Sequence, residues 1–163
     1  MFQNKHLNSF NIYIVFLIFT SCVLINGFPR IPNFNIIIYL FIHILLIYLI
    51  IYYYRLLLYF IYFIVGFIFD IFLLNEIGPH IITFMILILI LRKLQRFMIL
   101  LNPKNIFFLI LIILFSSISF EMLISFVLFN YLFDISYLIR SVITSLLISY
   151  PIFYLFSKID KFG

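Results

Sequence analysis

The sequence predicts an all-α bundle of membrane-spanning helices, and three observations carry that prediction. Of the 163 residues, 67% are hydrophobic and 9% charged, with a mean hydropathy of +1.35. An ordinary soluble domain is about 45–50% apolar and about 25% charged, so this chain has more apolar surface than a water-soluble fold hides. Apolar runs near the roughly 20 residues that cross about 30 Å of hydrocarbon recur along its length. Unbroken runs such as FFLILIILF, Phe107 to Phe115, lack the period-two alternation of a barrel with a wet interior, which leaves helices. No polar stretch is long enough for a soluble domain, and residues 1–163 read as a single integral membrane domain.

Six spans are expected, in order. The first, 10–28, is closed by Pro29, Arg30 and Pro32. The second, 34–53, ends in a tyrosine run followed by Arg55, residues suited to a membrane–water boundary. The third is 56–74. The fourth, 79–94, is short because Arg92 and Lys93 arrive early. The fifth is 106–129, and the sixth, 138–156, carries Pro151 near its end. With the N-terminus inside, Lys5, Arg55, Arg92, Lys93, Arg96, Lys104, Lys158 and Lys161 are cytoplasmic, and only Arg30 and Arg140 lie outside. Basic residues near span ends favour the cytoplasm, so both termini are expected there. Topology therefore accounts for the net charge of +5 without nucleic acid, and Lys93 and Arg96 are placed to meet anionic lipid head groups.

The abundant Phe, Ile, Leu and Tyr match AT-rich coding, and the residues that resist this bias are more informative. Asp70 interrupts an apolar run; an aspartate at mid-bilayer costs about 2.5–3.5 kcal/mol on insertion scales. Gly66 lies one turn away on the same face and permits close helix approach, so the pair reads as an inward-facing packed stripe. Glu121 in the fifth span is flanked by Ser117 and Ser125 at four-residue spacing. Arg140 opens the sixth span, followed by Ser141, Ser145 and Ser149, a small-residue face for tight helix contact. Asp70, Glu121 and Arg140 are expected together in the outer half of the bundle, with the arginine offsetting the acids. Such a cluster reads either as a network that fixes helix register or as a proton relay. The first is preferred, because a relay needs more titratable groups through the depth of the membrane and only His43 adds one. That histidine reads as hydrogen-bonded to a neighbour. Glu76 and His80 are too few for a metal site, and the Gly78-Pro79 between them favours a turn. Cys22, the lone cysteine, reads as an inert buried thiol. With no nucleophile–base set, phosphate loop or cysteine cluster, neither an enzyme nor a cofactor nor a metal is expected.

Gly66-xxx-Asp70, followed eight residues later by Gly78 and a new apolar span, resembles the core of MreD, the rod shape-determining membrane protein family of bacteria. Pro32-Asn33 before the second span, Glu121 in the fifth, and Pro151 with the closing FSKIDKF match further landmarks in order. Length, six spans and internal termini agree, so the resemblance covers nearly the whole chain; the absence of Ala and Trp and the thin set of polar residues depart from it. The resemblance implies a non-enzymatic scaffold in the bacterial inner membrane. Its partners would be an MreC-like protein, the MreB-like cytoskeleton, a RodA-type glycosyltransferase and a penicillin-binding transpeptidase, which together build side-wall peptidoglycan. It also implies a fold similar to the substrate-binding subunits of energy-coupling-factor transporters. Two other functions compete. One is a substrate-binding membrane subunit of a vitamin or small-molecule transporter. The other is a proton-conducting subunit, which the position of Arg140 at a span's end disfavours.

Overall fold

The computed structural model describes residues 2–25, 34–53, 55–99, 103–131 and 134–162, and their regular structure is entirely helical. Helix α1 is Phe2–Ile25, α2 Phe34–Tyr53, α3 Leu57–Phe69, α4 Pro79–Ile99, α5 Pro103–Phe129 and α6 Ile135–Phe162; a π-helical turn, Asp70–Leu74, continues α3. Among the described residues, four helices are long and apolar enough to cross a membrane: α2, α3 with its π turn, and most of α5 and α6. The apolar part of α1, Phe10–Ile25, is shorter. Helix α2 has the expected bounds. Helix α3 with its π turn also matches its expected span to within a residue, whereas α1, α4, α5 and α6 run beyond their apolar stretches at one or both ends. The expected loop landmarks Pro29, Arg30, Pro32 and Asn33 lie outside the described residues.

Helix α2 is the axis of the bundle and packs against the other five helices. From Ile44 to Ile51 every side chain is at most 4% exposed, so α2 is buried on all sides. Its neighbours bury a single stripe each. On α3, Leu58, Tyr62, Val65 and Phe69 recur at helical spacing and face inward, while Phe60, Phe63 and Phe67 face outward. On α5, Ile110, Leu114, Ser117, Ile118 and Glu121 turn inward, and Phe108, Ile112 and Phe115 outward. The serine face of α6 is buried as expected, with Ser141, Ser145 and Ser149 each at most 4% exposed. Their hydroxyls donate to carbonyls of their own helix, Leu138, Val142 and Ser145, which leaves the face compact and its polar groups satisfied. Cys22, expected to be buried, is exposed on α1.

At one end of the bundle, Asp160 of α6 is surrounded by tyrosines. The Tyr13 hydroxyl lies 2.7 Å from its Oδ1, and the Tyr48 and Tyr53 hydroxyls also donate to the carboxylate. One side chain thereby ties α1 and α2 to the last turns of α6. Arg55 stacks over Phe10 at 4.7 Å from the ring centroid at the same end.

At the other end, α3 and α4 approach most closely. A Cβ built on Gly66 would stand 2.8 Å from the Ile81 Cα and 3.0 Å from its backbone nitrogen. The obstruction is backbone, which cannot rotate aside. Gly66→Leu is therefore expected to separate α3 from α4 and to destabilise the protein by about 1–3 kcal/mol or more, with Gly66→Ala affected in the same direction. Thermal unfolding of the detergent-purified variants checks this. Unchanged midpoints would show that the helices do not meet at this glycine.

Candidate functional site

The site grows from the start of α4. The first N–H groups of a helix lack partners within it and carry the positive end of its dipole. Pro79, at the first helical position, has no N–H to satisfy and holds a φ suited to helix entry. Gly78 precedes it at φ 150°, a conformation that side-chain-bearing residues rarely adopt. This bend turns the amides of 78–81 toward α3, where Asp70 receives them. Its Oδ2 accepts from Gly78 N at 2.8 Å and Ile81 N at 3.2 Å, and its Oδ1 accepts from His80 N at 2.8 Å. Asp70 thus caps α4 from a neighbouring helix. It is also the first residue of the π turn, which ends at Asn75 in the left-handed conformation. Gly66 on the adjoining turn lets the two backbones come close enough for the cap to form.

His80 extends the cap into a network. Its Nδ1 donates to Asp70 Oδ1 at 2.8 Å, and its Nε2 stands 2.9 Å from Glu121 Oε1, so one imidazole links α3, α4 and α5. The imidazolium, with a donor at each nitrogen, is the form that serves both carboxylates. The hydroxyl of Tyr39 on α2 donates to Glu121 Oε2. His43, one turn along α2, directs Nδ1 to the Tyr39 carbonyl at 3.0 Å and places Nε2 3.8 Å from Glu121 Oε2. Asp70, His80, Glu121 and His43 are each at most 5% exposed. Aromatic rings close around them. Phe84 packs edge-on to His43 at 5.0 Å between centroids, and Phe69 edge-on to His80 at 5.7 Å. Low polarity in this shell strengthens every interaction inside it and raises the cost of breaking one.

Glu121 and His80 also line an open cavity of about 560 Å³, within the range of about 300–1,000 Å³ that small-molecule sites occupy. Tyr39, Tyr131 and Tyr137 contribute to its walls, with apolar residues of α1, α2, α5 and the π turn.

The structure brings Asp70, Glu121, Gly66 and Gly78 together as the sequence suggests, but Arg140 is not with them. Its guanidinium is half-exposed at the start of α6, 4.0 Å from Asp134 and bonded to Ser136. Asp134 caps α6 through the amides of Ser136 and Tyr137, and the Ser136 hydroxyl foremost holds its carboxyl below the usual range. The cation that meets the two buried acids is His80. Both its ring nitrogens are engaged by carboxylates, which removes it from any metal pairing with Glu76. Sequence spacing hides this role, because the contact depends on a bend at Gly78 and on the position of α5. The Asp70-to-Gly78 interval was the available signal.

Comparison with protein families, with curated proteins and with solved structures finds no match to this chain.

Removing one member of a buried ion pair costs about 3–5 kcal/mol, because the partners remain buried and unmatched. Asp70→Asn and His80→Ala are expected to lose stability on that scale, and their double variant less than the sum. Arg140→Ala should leave the unfolding midpoint where it is, since its contacts are exposed. Chemical or thermal unfolding of the purified variants distinguishes the two groups. A large loss from Arg140→Ala together with a silent Asp70→Asn would reverse the assignment.

Proposed function

We propose that the protein is a non-enzymatic membrane scaffold of the MreD kind, positioning side-wall peptidoglycan synthesis through an MreC-like partner. The observation that carries this reading is the docking of α4 on α3. The residues on which the resemblance rests, Gly66, Asp70 and Gly78, are the ones that make the contact. Their chemistry is spent on holding helices together: the Asp70 carboxylate is filled by four N–H donors within the bundle. In this reading the bundle crosses the bacterial inner membrane six times with both termini in the cytoplasm, and the Gly78 and Asp134 loops face outward. On the same reading its fold resembles that of energy-coupling-factor substrate-binding subunits, put to use as a platform for protein contacts. The MreB-like cytoskeleton, the RodA-type glycosyltransferase and the penicillin-binding transpeptidase are reached through the MreC-like protein.

A second reading, a substrate-binding membrane subunit of a small-molecule transporter, is favoured by the cavity over Glu121 and His80.

Depletion of the protein in its own cells, with affinity capture of the tagged chain from solubilised membranes, tests the scaffold reading. It predicts widening of rod-shaped cells and recovery of a coiled-coil, MreC-like protein, both diminished in Asp70→Ala. Normal width on depletion, with no such protein captured, would contradict it.

A further inference from the structure

The buried network is not electrically closed, and the imbalance faces the cavity. Asp70 and Glu121 supply two carboxylates, and His80 supplies one cation between them. His43 adds none: its Nδ1 proton goes to the Tyr39 carbonyl, and Nε2 makes no hydrogen bond, standing 3.8 Å from Glu121 Oε2, beyond donor reach. The two acids are not equivalent. Asp70 is filled by the N-terminus of α4, which supplies three amides and the positive end of the helix dipole, about half a unit charge. Glu121 has a single hydroxyl donor, Tyr39, and the Nε2 of His80 2.9 Å from its Oε1. The excess negative charge therefore rests on Glu121, which lines the cavity while only 5% exposed.

The walls around it are suited to one kind of guest. Tyr39, Tyr131 and Tyr137 stand in the lining, and most of the remaining lining is aliphatic. Aromatic faces attract cations, and a desolvated carboxylate forms charge-assisted hydrogen bonds with N–H donors. We propose that this cavity binds a small organic ammonium with an apolar or aromatic body, its charged nitrogen directed at Glu121. The proposal holds whether the bundle serves as a scaffold or as a transporter subunit, because it concerns the occupant and not the consequence of occupancy.

Three probes of matched shape test it on the full chain in lipid nanodiscs, with empty nanodiscs as the blank: tryptamine, the neutral indole-3-ethanol and the anionic indole-3-acetate. Calorimetric titration should show saturable one-to-one binding of tryptamine, with both analogues weaker by about tenfold or more. Glu121→Gln should abolish the preference for the amine. Ser125→Leu fills the wall from α5 without altering the carboxylates, and should reduce tryptamine binding by about tenfold or more even if the Gln variant fails to fold. No saturable binding of tryptamine, equal binding of all three probes, or tryptamine binding that survives Ser125→Leu would overturn the proposal. None of these outcomes bears on partner capture or cell width, so the scaffold reading stands or falls separately.

Discussion

The structure depends on one contact, the reception of the first turn of α4 by the carboxylate of Asp70. A helix end brings unsatisfied amides and partial positive charge; a buried aspartate brings unsatisfied acceptors and negative charge. Each is costly in a membrane bundle on its own, and each cancels the other when joined. The geometry that joins them is demanding. Gly66 must lack a side chain, Gly78 must bend the chain, Pro79 must start the helix, and Asp70 must sit one helical turn beyond Gly66. The short segment from 66 to 81 is thus a single structural device.

From this contact the polar interior extends laterally. His80 is fixed by its own amide and by Nδ1 to Asp70, and this aims Nε2 at α5, where Glu121 waits. Tyr39 and His43 connect the same glutamate to the central helix. In lipid, apolar surfaces alone give little preference for one helix register over another, because acyl chains and side chains are equally greasy. Directional bonds among α2, α3, α4 and α5 supply the preference. A second anchor, Asp160 with its three tyrosines, does the same for α1, α2 and α6 at the far end. The two anchors differ in character: the Asp160 carboxylate takes neutral phenols, whereas the Asp70–Glu121 pair holds a histidine cation and leaves charge at the edge of a cavity.

Much of the fold was legible in the sequence. The bounds of α2 follow from its apolar run, and the serine face of α6 from its four-residue spacing. Gly66, Asp70 and Gly78 could be singled out because Gly and charged residues are scarce in this chain. Other parts were not legible for physical reasons. A helix bathed in lipid is apolar on every side, so on α5 only the spacing of Ser117 and Glu121 marks the core face, and its apolar residues do not. Cys22 was misplaced on the same ground. Arg140 was paired with the acids by sign of charge alone, whereas an arginine at a helix start finds Asp134 and Ser136 close at hand. His80 was discounted because Gly78-Pro79 reads as a turn; the same turn is what delivers the histidine inward.

Amide hydrogen exchange at Gly78, His80 and Ile81 measures the central contact most directly, since each of these N–H groups points at Asp70. In the native protein they should exchange as slowly as amides inside α4. In Asp70→Ala they should become labile while the middle of α2 stays protected. Rapid exchange at all three positions in the native protein, or equal protection once the carboxylate is gone, would contradict the account.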